Sequence, residues 1–284
     1  MAALLALLSS VLWGTADFGG GVSSRRLPVL AVIGWSQATA LVAVGLAAAV
    51  LTPLGAGPAL VGAPSGLGWL AWSLVAGAFG MGGLLCFYRA LAIGTMGVVS
   101  PVAGLGVAVP VLAGLAAGER PSGVQLVGMM VALAGALAAS GPELSGAARG
   151  RAVGLAALSG AFFGVALLAM ARGAASSPLF TLLGMRCTSV AVVSVVAVVG
   201  RTVGGVRPRD LPLLAGVGLA DAGANLLFAV ATTLGLVSVV AVLGTLYPVA
   251  TVLLARGLLG ERLLGVQKAG VATAMLGVAV LSLG

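Results

Sequence analysis

A stretch near the middle of the chain returns at its end. Gly118-Glu119-Arg120, Gly123-Val124-Gln125, Gly128, Ala132, Gly135 and Ser140 reappear 142 residues later as Gly260-Glu261-Arg262, Gly265-Val266-Gln267, Gly270, Ala274, Gly277 and Ser282. These are ten identities in 23 aligned positions, so the chain is a duplication. The register extends outward. Phe87, Ala90 and Gly94 meet Phe228, Ala231 and Gly235 at a shift of 141, and Gly14, Pro28 and Gly34 meet Gly164, Pro178 and Gly184 at 150. The sequence therefore divides into a first repeat at 1–140, a linker at 141–151 and a second repeat at 152–284.

Composition says where that unit resides. The 284 residues are 61% hydrophobic and 7% charged, with a mean hydropathy of +1.23. Soluble domains carry about 25% charged residues, so this is an integral membrane protein embedded in a lipid bilayer. Apolar runs of about 20 residues cross the hydrocarbon layer as helices. Dividing the chain at charges, prolines and glycine clusters predicts ten of them, at 2–22, 28–52, 68–93, 95–117, 122–140, 152–171, 177–200, 211–233, 236–258 and 263–283. The first run lacks a basic leader and aligns with the sixth, so it reads as a span and not as a signal peptide.

Five helices per repeat is an odd number, so the second repeat enters the membrane from the opposite side. The expected architecture is all-α, ten transmembrane helices as two inverted five-helix repeats, with a cavity between halves that can open to either side by rocking. The 46 glycines supply small-residue seams between helices, such as Gly77, Gly80, Gly82 and Gly83 on the third span.

Several function classes are excluded. The net charge of +8 comes from arginines scattered over separate short loops, which form no basic groove for nucleic acid. The chain has no histidine, and its two cysteines, Cys86 and Cys187, lie inside apolar runs, so no metal site and no cofactor is expected. No carboxylates stand at catalytic spacing and no nucleophile has an evident base, so the chain does not read as an enzyme. No phosphate-binding glycine loop of the nucleotide-hydrolysing kind occurs either.

The tryptophan-glycine pair Trp13-Gly14, the Gly-Glu-Arg turns at 118 and 260, and Tyr247-Pro248 thirteen residues before Glu261 resemble the EamA-type members of the drug/metabolite transporter superfamily, over the whole chain. Arg186 is similar to that family's second-helix arginine, whereas the first repeat has Ser36 there. The first repeat also departs in having Gly106 where Pro248 would align, although it keeps Pro101 and Pro110. The resemblance implies a ten-helix carrier of small metabolites, often an exporter. It does not imply a substrate.

Charged groups inside spans are the strongest functional signal, because one near the bilayer centre costs about 2.5 to 3.5 kcal/mol on insertion scales. Asp221 is eleventh in its 23-residue span and Arg186 tenth in its 24-residue span, which brings both to mid-membrane depth on antiparallel neighbours. They read either as a structural ion pair or as a site where Asp221 takes a proton or cationic group and Arg186 a carboxylate, the two exchanging partners. Asn225 and Phe228 lie one and two turns beyond Asp221 on the same face. Asp17, four residues beyond Trp13, lines the cavity mouth or snorkels toward Arg25 and Arg26. Trp13, Trp35, Gln37, Tyr88 and Tyr247 are further lining candidates. Glu119-Arg120 and Glu261-Arg262 read as stabilisers of short turns through local salt bridges and helix-end contacts.

Loops after odd-numbered spans hold Arg25, Arg26, Arg149, Arg151, Arg201, Arg207, Arg209 and Arg262, and those after even-numbered spans hold Arg120 and Arg172. The positive-inside rule puts the odd loops in the cytoplasm and both termini outside, whereas the resemblance implies termini inside. The functional expectation is a secondary carrier for a small metabolite or amphipathic compound (an amino acid, amine or drug-like molecule), with a lipid or lipid-linked sugar translocase as the alternative. Proton coupling and facilitated diffusion both suit the sequence. Low lysine with abundant alanine, glycine, valine and arginine points to a GC-rich bacterial genome and hence to the plasma membrane.

Overall fold

The computed structural model describes residues 1–55, 60–61, 68–94, 96–139, 148–200, 205–259 and 265–283, and those residues contain helices and no strand. In the first repeat these are α1 (Ala2–Ser24), α2 (Val29–Leu51), α3 (Gly68–Ile93), α4 (Met96–Gly104), α5 (Ala108–Ala116) and α6 (Gly123–Ala139). In the second they are α7 (Ala148–Ala174), α8 (Pro178–Gly200), α9 (Leu211–Leu234), α10 (Val237–Gly244), α11 (Tyr247–Leu259) and α12 (Gly265–Ser282). Glu261, Arg262, Arg201 and most of the linker lie outside the described residues.

Among the described residues, six helices are long and apolar enough to cross a membrane: α1, α2, α3, α7, α8 and α9. The other expected spans are shorter apolar helical stretches of 10–17 residues, at Val102–Ala116, Gly123–Ala138, Val237–Thr251 and Gly265–Leu281. Two segments expected to be continuous are broken. At Leu105–Val107 a 3-10 turn separates α4 from α5, and residues 245–246 separate α10 from α11. Each break sits a few residues before a proline, Pro110 or Pro248, which has no N–H to return to the carbonyl one turn earlier. At the second break Leu246 and Val249 donate instead to the carbonyls of Leu243 and Leu246, three residues back. The first repeat, with Gly106 where Pro248 would align, is thus broken close to Pro110.

The helices pair across the two repeats: α1 with α9, α3 with α7, α6 with α12, and α2 with α8 and α9. Small residues let backbones approach. A side chain on Gly135 would meet the backbone of Ala274, and one on Gly277 the backbone of Ala132. Gly106 packs directly on the Gly160 carbonyl, which seats the 3-10 turn against α7. Hydroxyls fasten these contacts: Ser9 Oγ donates to the Ala224 carbonyl at 2.8 Å, Ser159 Oγ to that of Gly83 at 3.0 Å, and Thr251 Oγ1 to that of Gly14 at 3.2 Å. In a bilayer, which offers no water to such groups, bonds of this kind contribute about 0.6 kcal/mol each.

Glu119 does more than steady its own turn. Its Oε1 accepts the Val237 N–H at 2.8 Å and its Oε2 the Ser238 N–H at 3.0 Å, so the α5–α6 turn of one half caps helix α10 of the other.

Candidate functional site

At mid-span, α8 places Arg186 against α9 and α2. Its Nη1 donates to Asp221 Oδ2 at 2.8 Å and to Gln37 Oε1 at 2.6 Å. Gln37 Nε2 donates to the same Asp221 oxygen at 3.3 Å. Asn225, one turn on from Asp221, donates through Nδ2 to Asp221 Oδ1 at 2.9 Å and to the Asp221 backbone carbonyl at 2.6 Å. Both Asp221 oxygens are therefore engaged, and the side chains of Arg186 and Asp221 are only 2% and 14% exposed. Burying either charge alone at this depth would be costly, so the pair is a condition for the other being there.

Arg186 is nevertheless incompletely satisfied. Its Nε and Nη2 are buried and have no hydrogen-bond partner among the described residues. Arg186 also lines a cavity, together with Trp13, Asp17, Gln37, Asp221, Asn225 and Tyr247, which holds about 780 Å³ of unfilled space, the part opening outward included. Asp17 lies in that lining and does not snorkel to Arg25 or Arg26. Its carboxylate has no hydrogen bond among the described residues, and it lines the same cavity as Asp221.

The cavity has two unlike walls. The polar one comes from α1, α2, α8 and α9. The apolar one comes from α3 and α7, with Gly80, Leu84, Phe163, Leu167 and Met170. The repeat register relates them. Phe163 and Leu167 stand 150 residues after Trp13 and Asp17, and Gly80 and Leu84 stand 141 residues before Asp221 and Asn225. At these four pairs of positions, both members of the pair line the cavity, whereas Ser36 and Cys187, the counterparts of Arg186 and Gln37, do not.

Seven of the nine expected site residues meet in this cavity. The other two sit behind its wall: Phe228 is fully buried with its ring 5.4 Å from that of Trp13, and Tyr88 is buried with its ring against Gly20. Trp35 is 45% exposed on the outer surface of α2 and lines nothing. Phe163, Met170, Met185, Ser189 and Thr245 line the cavity without having been singled out from sequence. For Phe163 the signal was available, as the counterpart of Trp13 in the repeat.

A solved crystal structure, described simply as that of a protein, is similar over 99% of this chain and 97% of its own, with a TM-score of 0.77 and 20% sequence identity, a likeness of fold. No curated protein matches the chain. The model of the EamA-like transporter family matches residues 1–141 and 150–283. With its membrane-spanning apolar helices, the chain is a multi-pass membrane protein that belongs to the EamA-like transporter family, whose members are transporters.

Proposed function

We propose that this chain is a secondary transporter moving a small metabolite or amphipathic compound across a bacterial plasma membrane, as an exporter. Transport runs by alternating access between inverted five-helix repeats at 1–140 and 152–284, with ten membrane crossings once the four shorter apolar stretches are counted. The observation that carries this reading is the buried polar cluster on Arg186, which faces a mid-span cavity built from both halves. The register-related lining residues support the inverted relation, because a rocking motion about such a cavity exchanges equivalent contacts on its two sides. Helix breaks beside Gly106 and Thr245, both in the lining, supply the bending points. Proton coupling is assigned to the carboxylates: protonating Asp221 would release Nη1 of Arg186 and loosen α8 from α9.

The test is efflux from proteoliposomes loaded with a metabolite panel, comparing the native chain with Asp221→Asn, with and without a pH gradient. The expected result is flux by the native chain and loss of its gradient dependence in the variant. A panel with no flux, together with movement of a labelled lipid between leaflets, would overturn the reading in favour of a lipid translocase.

A further inference from the structure

Two loops meet at one end of the bundle. The α1–α2 turn touches the segment between α8 and α9, where the Cδ of Pro28 lies 3.3 Å from the position that a Cβ on Gly205 would take. This contact joins the two repeats and brings four exposed arginines to one place: Arg25 and Arg26 on the first loop, Arg207 and Arg209 on the second. Among the described residues none of the four forms an ion pair. Asp210, the one described carboxylate on these loops, accepts the backbone N–H of Arg207 through Oδ2 at 3.0 Å.

The repeat shows that packing does not require these charges. At the shift of 150 that matches Pro28 with Pro178, Arg25 and Arg26 become Ala175 and Ser176. The α7–α8 turn that holds them meets the loop before α3 at the opposite end of the bundle. There the Leu179 N–H donates to the Leu60 carbonyl at 3.2 Å, and Ser177 Oγ donates to the Val61 carbonyl. Residues 53–67 contain no charge, so the duplicated contact forms without an arginine cluster. Orientation does not require the convergence either, because a cation anywhere on this end, such as Arg89 or Arg151, adds to the positive-inside bias. Four like charges gathered around one contact repel unless an anion is shared among them. At the ends of membrane-spanning helices the anion always at hand is a lipid phosphodiester.

We infer that the junction of the α1–α2 and α8–α9 loops is a binding site for the headgroup of one anionic phospholipid. Its phosphodiester is shared by Arg25 and Arg26 from the first repeat and by Arg207 and Arg209 from the second, whose guanidinium forks suit phosphate oxygens. The lipid ties the two repeats together at this end, as Glu119 does at the other. This site is separate from the mid-span cavity and does not depend on what the chain carries.

The test titrates the purified full chain in detergent with dioleoylphosphatidylglycerol and with dioleoylphosphatidylcholine, read by native mass spectrometry. One molecule of the anionic lipid is expected to bind at least roughly 25-fold tighter than the zwitterionic one, which is two arginine contacts at about fivefold each. Arg25→Gln with Arg26→Gln, or Arg207→Gln with Arg209→Gln, should weaken that first lipid by roughly the same factor. Arg25→Lys with Arg26→Lys keeps the charges and should retain most of the binding, and Arg120→Gln with Arg172→Gln, at the other end, all of it. Equal binding of the two lipids by the native chain overturns the inference, as does an equal loss from the Arg120 and Arg172 pair, which would mark a diffuse charge effect. Displacement of the lipid by inorganic phosphate, but not by chloride at equal ionic strength, would overturn the lipid assignment in favour of a soluble anion.

Discussion

Glu119 and Val237, 118 residues apart, are joined by a 2.8 Å hydrogen bond from the Val237 N–H to Oε1. With the Ser238 N–H on Oε2 at 3.0 Å, one carboxylate closes the first turn of α10. The Gly-Glu-Arg turn that marks the duplication is thus a clasp between the halves. Replacing Glu119 with Ala leaves both N–H groups unanswered, at a cost of about 1 to 3 kcal/mol for each that stays dry. The expected outcome is a clearly lower melting temperature of the purified chain in detergent, with Glu119→Gln intermediate. A melting temperature equal to that of the native protein would show that the cap contributes nothing.

The pair of Arg186 and Asp221 predicts a non-additive result. Arg186→Met strands a buried carboxylate, and Asp221→Leu strands a buried guanidinium. Breaking a buried pair from one side costs about 3 to 5 kcal/mol, whereas replacing both partners is close to neutral. The double variant should therefore melt above either single one while losing any carboxylate binding. If the two losses simply add, the partners are not coupled.

Helix approach predicts a contrast among glycines. Gly106→Ala would drive a methyl group into the Gly160 carbonyl and separate the 3-10 turn from α7, whereas Gly216, with open space around its Cα, accepts alanine. Gly106→Ala should lower stability and disturb the cavity. Gly216→Ala should be neutral or raise stability by up to about 1 kcal/mol, alanine's helix advantage over glycine. Thermal melts of the two variants side by side decide this, and similar melting temperatures would refute it.

The contacts sort the arginines by edge. Pro28 touches Gly205, and Gly94 approaches Ala152, so Arg25, Arg26, Arg151, Arg207 and Arg209 gather at one end of the bundle. Arg120 and Arg172 belong to the other. Positive-inside bias then puts the first end in the cytoplasm and both termini outside. Alkaline phosphatase fused after Gly284 should be active, and a fluorescent protein fused there dark. The reverse pattern would mean that these arginines do not set the orientation.

Depth was legible in the sequence and facing was not. Counting along the apolar runs put Arg186 and Asp221 near one level, and they are found bonded. Asp17 was left between the cavity mouth and the arginines of the next loop, because its spacing from Trp13 fixed a shared face but not what that face meets; it lies in the cavity lining. Trp35, only two residues from Gln37, was grouped with it although the helix turns it outward. Tyr88 and Phe228 were placed in the wall and stand behind it, where aromatic rings support Trp13 and pack on Gly20.

The sequence by itself determined the duplication, the membrane environment, the limits of the long spans and the depth of each charge, because these depend on length, hydropathy and repeat register alone. Only the tertiary structure decided which helix faces meet, that Glu119 reaches the other half, and that one edge of Arg186 is left free. The physical reason is that these helices are apolar on nearly every side. Lipid and protein interior then offer almost the same hydrophobic environment, so hydropathy cannot fix rotation about the helix axis. That rotation is set by close packing and by the few polar groups that must find one another.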